Sequence, residues 1–169
     1  SFVAGENPDW LESSSVALWG EGHAAHAEAF NAPAPVDLRT NALLAERPHV
    51  QALLAEDGIT TTPTPYSPWG LRVEGRAKLD SAAAFRKGLV EVQDEGSQIA
   101  TFMCDVKPDM MVVDFCAGAG GKTLGLAALM KNQGRLIALD VAPNRLKRMD
   151  RRLGRAQVSI VECLALEDP

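Results

Sequence analysis

The stretch Asp114-Phe115-Cys116-Ala117-Gly118-Ala119-Gly120-Gly121-Lys122-Thr123 constrains this chain more than any other. An apolar run, Met110-Met111-Val112-Val113, precedes it and predicts a buried parallel strand. Leu124, Leu126, Ala127, Ala128, Leu129 and Met130 follow as an apolar helix face. The chain therefore passes from strand to helix through a turn of small residues. Glycine in such a turn permits positive φ and lets a ligand approach the backbone. The unpaired N–H groups of the helix's first turn then point at that ligand.

The details of the turn separate three ligand classes. A phosphate cradle of the form G-x-x-x-x-G-K-[ST] is half present in Gly121-Lys122-Thr123, but its first glycine would fall at Cys116. The dinucleotide pattern G-x-G-x-x-G is met at Gly118 and Gly120 and missed at Thr123, where a β-branched residue keeps the helix from packing under a pyrophosphate. S-adenosylmethionine suits the turn better. It carries a ribose and a methionine moiety but no phosphate, so it needs open backbone and a carboxylate for the ribose hydroxyls. Arg135-Leu136-Ile137-Ala138-Leu139-Asp140 predicts a second strand ending in that acid, 22 positions after Gly118. Two charge-assisted hydrogen bonds to ribose contribute about 1.5–3 kcal/mol each. Asp140 also precedes Val141-Ala142-Pro143 and suits a helix cap; the two roles are compatible. The expected donor-binding residues are Cys116, Ala117, Gly118, Ala119, Gly120, Gly121, Lys122 and Asp140. Arg145, one turn further on, is a candidate for the cofactor rather than for RNA.

Asp114 to Thr123 resembles motif I of the Sun/Nop-type RNA cytosine-5 methyltransferases, a family that includes the bacterial 16S ribosomal RNA enzyme. Val92-Gln93-Asp94-Glu95-Gly96-Ser97-Gln98 is similar to the segment before that motif. Pro35-Val36-Asp37-Leu38-Arg39-Thr40-Asn41 is similar to a short strand ahead of the catalytic domain, and Asn7-Pro8-Asp9-Trp10-Leu11 to the family's opening helix. Many relatives carry proline where this chain has Ala119, a change that preserves the small turn.

The resemblance implies a thiolate mechanism. C5 of cytosine is a poor nucleophile until a cysteine thiolate adds to C6, and a second group must later remove the C5 proton. In the family one cysteine follows threonine and another follows proline, both beyond the third strand. Cys104, Cys116 and Cys163 follow neither. Cys104 reads as a core residue, Cys116 as part of the turn, and Cys163 as packing. No catalytic nucleophile is assigned, and the chain alone is expected not to turn over. Glu162 stands in for the acid that contacts adenine in the family. Gln93 and Asp94 either line the cofactor crevice, as the resemblance implies, or cap the following helix.

Net charge is −5 over 169 residues, an unusual balance for an RNA binder. The deficit is local. Residues 1–75 hold three basic and ten acidic groups, and residues 76–169 hold fourteen and twelve. Arg145, Lys147, Arg148, Arg151, Arg152 and Arg155 fall within eleven residues, opposed only by Asp150, and helical spacing predicts a broad face for phosphates. The family resemblance, not the charge pattern, ranks ribosomal RNA ahead of transfer RNA as the expected partner. Three cysteines without paired spacing argue against disulfides and zinc. No signal peptide or membrane span is visible, so a cytoplasmic location is expected. The start at Ser1 rather than Met leads to the expectation of further N-terminal sequence.

The remaining pattern predicts helices within residues 1–30, a breaker at Ala32-Pro33-Ala34-Pro35, a strand over Val36–Asn41 and a helix over Arg47–Glu56 stopped by Gly58. Thr60–Tyr66, with Pro63 and Pro65, suits an edge strand, and Leu71–Glu74 another strand. After a short helix or turn at Ala82–Gly88 and a helix over Ser97–Cys104, the pattern from Met110 is strand, helix, strand, helix, strand. Gly134 and Gly154 are read as the two helix stops and Val158–Glu162 as the third strand. His23 and His26 suit a helix exterior, and Trp10, Trp19 and Trp69 suit the core, since no basic residues interleave with them. The expected fold class is α/β: an incomplete Rossmann-like S-adenosylmethionine-dependent methyltransferase sheet over 89–169, preceded by a small, RNA-binding-like α+β module over 1–88. Two rivals are a non-catalytic RNA-binding or assembly module and an NAD-dependent oxidoreductase fragment.

Overall fold

The structure, a computed structural model, describes residues 8–166; Asn7 of the predicted opening helix lies outside them. The chain divides into two compact units between Ala34 and Pro35. The first holds α1 (Asp9–Trp19), a 3₁₀ turn over Gly20–Gly22 and α2 (His23–Asn31). Leu11, Ser15 and Trp19 recur at helical spacing and form the buried stripe of α1. Trp19 packs on His26 and Phe30, with ring centroids 4.9 and 5.8 Å away. Trp10 departs from the core expectation. It stands one position off the stripe and is 70 % exposed. His23 bonds to Glu12 at 3.3 Å.

The second unit opens with β1 (Asp37–Thr40), α3 (Arg47–Glu56), β2 (Thr61–Pro63), β3 (Gly70–Val73), α4 (Ala83–Arg86) and β4 (Val90–Val92). The four strands form an antiparallel sheet in the order β2-β3-β1-β4. A β-α-β-β-α-β chain with that order is a ferredoxin-like fold. Its core is Leu38, Val50, Leu54, Ile59, Leu71, Val73 and Val90, with Ala82 and Ala84. Pro63 is accommodated because β2 is an edge strand. Gly58 ends α3 as expected, with φ +74°. β4 lies beyond position 88, yet its ladder is with β1, pairing Leu38 with Val92 and Thr40 with Val90.

The second sheet follows α5 (Glu95–Met103). It consists of β5 (Met111–Asp114), α6 (Gly121–Leu129), β6 (Arg135–Asp140), α7 (Pro143–Ala156) and β7 (Val161–Ala165), with parallel strands in the order β5-β6-β7. Right-handed crossovers in one direction put both helices on one face. That face is the core: Leu126, Ala127 and Met130 with Leu136, and Leu146 and Met149 with Ala117 and Ala138. The other face is uncovered among the described residues. Met111 is 69 % and Val113 50 % exposed, so β5 is buried on one side only and departs from the expected fully buried strand. Three further boundaries move. α6 ends at Leu129, with left-handed Lys131 and Asn132 after it, so Gly134 is not its stop but the residue that leads into β6. Gly154 lies inside α7, and the left-handed residue that ends the helix is Gln157, φ 57°. β7 begins at Val161, three residues later than expected. No helix among the described residues is long and apolar enough to cross a membrane.

The two sheets are joined through buried charge. Glu91, in β4, is 3 % exposed and accepts from Arg152 at 2.9–3.0 Å and from Arg155 at 2.5 Å, both in α7. Arg155 also stacks over Phe85, 4.1 Å from the ring centroid. Asn41 donates to the carbonyls of Gly88 at 3.0 Å and Ala156 at 3.1 Å. Removing the Glu91 charge leaves two guanidinium groups without their counterion. Glu91→Gln is therefore expected to cost about 3 kcal/mol of unfolding free energy. That is the low end for a broken buried pair, because the two guanidinium side chains keep about a fifth of their surface in water. Urea unfolding measures it; an unchanged midpoint would show that the Glu91 ion pairs do not hold the sheets together.

Candidate nucleotide-binding site

The glycine-rich turn runs from the end of β5 to the start of α6, at the carboxyl ends of the parallel strands. Its path is set by backbone bonds. Ala117 N–H donates to Leu139 O and Gly120 N–H to Ala117 O, each at 2.9 Å. Gly118 N–H donates to Asp140 Oδ2 at 2.7 Å. The other oxygen, Oδ1, accepts from Ala142 N–H at 2.8 Å. Asp140 therefore closes the turn onto the end of β6 rather than capping α7, whose N-cap is Ala142. Those bonds, first from Ala142 and then from Gly118, hold the Asp140 carboxyl below the usual carboxylate range; burial opposes them and the Arg145 charge assists. A carboxylate has about four acceptor sites, so two remain for hydroxyl groups.

The glycines divide by purpose. Gly118 (φ +56°) opens onto space: a Cβ there would approach only Arg145 Cζ at 3.9 Å and Asp140 Oδ2 at 4.0 Å. Gly120 (φ +87°) serves packing, since a Cβ would lie 2.5 Å from Met149 Cγ. Asp114, at the end of β5, accepts from Thr123 Oγ1 at 2.7 Å, and Thr123 is fully buried. Thr123 is thus an anchor for the turn. Gly121, Lys122 and Thr123 form the first turn of α6, whose N–H groups have no intrahelical acceptor.

The candidates Cys116 to Lys122 and Asp140 thus come together at the carboxyl ends of the strands, with Cys116 and Lys122 exposed and Ala117 buried. Arg145 lies beside Gly118 and Asp140. Asp94 caps α5, accepting from Ser97 N–H at 3.0 Å. Gln93 is buried near Gly121 instead. Glu162 stands mid-strand on the uncovered face, bonded to Arg135 at 2.7 Å, away from the carboxyl-end crevice. Cys104 is exposed at the end of α5, contrary to the core reading, because the helix turns its buried stripe of Gln98 and Thr101 elsewhere. Cys163 packs beside Met149, its Sγ 3.8 Å from Sδ. Among the described residues no group of three or more His, Cys, Asp or Glu is placed to hold a metal ion.

Three residues beyond those the local pattern picks out shape the turn: Arg39, Arg152 and Gly125. Arg39, from β1, donates to Gly121 O at 2.6 Å and to Gln93 Oε1. Burial lowers its pKa to about 10; the Glu91 charge opposes that and the Arg152 charge adds to it. Arg152 donates to Ala119 O at 2.7 Å. Gly125 leaves room for Arg39, whose Nη1 would be 2.8 Å from a Cβ there. The legible signals were a lone arginine in a short strand and a lone glycine inside a helix.

A parallel β-α-β-α-β sheet with a glycine-rich first turn, bonded to an acid at the end of the second strand, is the nucleotide-binding half of a Rossmann-like α/β domain. Two family models narrow that class. Residues 7–80 match the ferredoxin-like domain of RsmF/B-like methyltransferases, and residues 101–167 match 16S rRNA methyltransferase RsmB/F. The chain belongs to this RsmB/F methyltransferase family. It is 33 % identical over 152 residues to the ribosomal RNA small subunit methyltransferase B of Pseudomonas putida, covering 90 % of this chain and 35 % of that protein. It is 34 % identical over 160 residues to the probable enzyme of the same name from Synechocystis, covering 92 % and 36 %. The chain thus spans about a third of the length of these relatives. A methyltransferase homolog protein from Pyrococcus horikoshii superposes with a TM-score of 0.88 at 29 % identity, over 96 % of this chain and 53 % of that one.

The two turn glycines are expected to respond differently to a methyl group. Gly120→Ala combines a left-handed backbone, about 1–2 kcal/mol, with overpacking on Met149, about 1–3 kcal/mol. Gly118→Ala carries only the first cost. Equal losses in urea unfolding would contradict this division.

Proposed function

We propose that this chain is the cofactor-binding part of an S-adenosylmethionine-dependent RNA methyltransferase acting on C5 of a cytosine in ribosomal RNA. The observation that carries the reading is the Gly118–Asp140 bond, which joins an open glycine turn to a carboxylate with free acceptor sites. In this reading Asp140 accepts from the two ribose hydroxyls. The turn N–H groups that have no acceptor within the helix, those of Gly121 and Lys122 in the first turn of α6, take the carboxylate of the amino-acid part. The absence of a first P-loop glycine at Cys116, and of a third dinucleotide glycine at Thr123, argues against phosphate ligands. Bound S-adenosylmethionine supplies an electrophilic methyl group. The chain's own residues orient it and hold Asp140 ionised; none of the three cysteines is assigned as the attacking thiolate. Residues 1–88, with β4 added to their sheet, serve as the RNA-binding-like module and the rest of 89–169 as the cofactor half. The purified 169-residue chain is inactive by itself in this reading.

Calorimetry on the intact protein tests the cofactor. S-adenosylmethionine is expected to bind and NAD is not. Asp140→Ala is expected to weaken binding at least tenfold, since two charged hydrogen bonds are lost. Preferential NAD binding would overturn the reading.

RNA contact falls on the outer face of α7. Arg145, Lys147, Arg148 and Arg151 are exposed, whereas Arg152 and Arg155 are engaged with Glu91 and leave the predicted phosphate face. Each phosphate contact contributes about 0.9 to the slope of log K against log salt on a duplex and about 0.7 on a single strand. Replacing Lys147, Arg148 and Arg151 together by Gln is expected to flatten that slope by about two on a single strand and about three on a duplex. An unchanged slope would move the RNA to another surface.

A further inference from the structure

We infer that Arg152 and Arg39 are positioning residues for the methyl donor: they set the peptide planes of the glycine turn from outside it. The inference rests on the cofactor reading above. Each peptide carbonyl points opposite to the N–H of its own plane, so gripping the carbonyl aims the N–H. Arg152 Nη1 grips Ala119 O at 2.7 Å, which fixes the plane that holds Gly120 N–H. Gly120 N–H in turn bonds Ala117 O at 2.9 Å, and this folds the turn back towards Gly118. Arg39 Nη1 grips Gly121 O at 2.6 Å, which fixes the plane that holds Lys122 N–H, one of the unpaired donors of the first turn of α6. Glycine has the weakest conformational preference of any residue, so a Gly118-Ala119-Gly120-Gly121 turn would otherwise sample many states and lose affinity in ordering them.

Each grip is itself held. Arg152 is anchored by Glu91 at 2.9–3.0 Å, and Arg39 by Gln93, both at the β4 end of the first sheet. Arg39 is 3 % exposed and reaches the turn through the notch that Gly125 leaves in α6. A glycine inside a helix is less favourable than alanine, so the notch runs against local preference. The turn that receives the donor is therefore shaped by the ferredoxin-like sheet.

The arrangement contains its own control. Arg152 and Arg155 share Glu91, but only Arg152 touches the turn. In the intact protein, calorimetry with S-adenosylmethionine is expected to show about tenfold weaker binding for Arg152→Met and less than twofold change for Arg155→Met, although both lower the unfolding midpoint. Arg152→Lys keeps one donor for Ala119 O and is expected to recover part of the affinity. Gly125→Ala improves helix propensity but places a Cβ 2.8 Å from Arg39 Nη1 and 2.9 Å from Thr101 Cγ2. It is expected to weaken binding about fivefold or more, with Thr101→Ser in the same background, which relieves the second contact only, not restoring it. Equal effects of Arg152→Met and Arg155→Met, or full affinity in Gly125→Ala, would overturn the inference and leave the arginines a purely structural role. Should Arg152→Met fail to fold, Arg152→Lys and Gly125→Ala decide the question alone. Wild-type protein that binds no S-adenosylmethionine would refute the cofactor reading instead, so the two failures are distinguishable.

Discussion

Burying charge between two sheets is costly unless every ion finds its partners, and that requirement organises this protein. Glu91 is enclosed between β4 and α7 and satisfied by two arginines. Arg39 is enclosed between β1 and α6 and satisfied by a side-chain amide and a main-chain carbonyl. These groups tolerate little displacement, because a shift of an ångström leaves a buried charge unpaired. The relation of the ferredoxin-like sheet to the parallel sheet is therefore defined by polar geometry. The buried apolar clusters around Leu38 and around Leu136 are distinct, and the Trp69–Phe102 contact at 4.6 Å adds an aromatic link through α5.

The same charges divide α7. Its sequence offers a dense run of cations, which read together look like a single surface. In the fold, Leu146, Met149 and Ala156 are buried, Arg152 and Arg155 turn to Glu91, and Arg145, Lys147, Arg148 and Arg151 remain in water. A helix face is a matter of a few tens of degrees, and one acid from a distant strand is enough to redirect two of six cations inward.

The parallel sheet carries its ligand crevice where such sheets place it, at the carboxyl ends of the strands. Both crossover helices lie on one face, so Leu136, Ala138 and Asp140 share that face by strand alternation. The opposite face carries Met111, Val113 and the Arg135–Glu162 pair. That alternation explains why Asp140 reaches the turn and Glu162 does not: they belong to opposite sides of the sheet.

The sequence by itself determined the turn, its flanking strand and helix, the acid at position 140 and the helix over Arg47–Glu56. Each is encoded by neighbours within a few residues: glycine where φ is positive, apolar periodicity, a proline in the first helical turn. What only the tertiary structure decided involves partners far apart in the chain. Arg39 meets Gly121 across 82 positions and Glu91 meets Arg155 across 64. The exposure of Met111, the left-handed Gln157 that replaces Gly154 as the stop of α7, and the exposure of Cys104 at the end of α5 follow from which surface each element buries. Local pattern carries no record of that choice. A short strand with one arginine reads the same whether the guanidinium faces water or a carbonyl, and the difference lies in the desolvation that packing imposes.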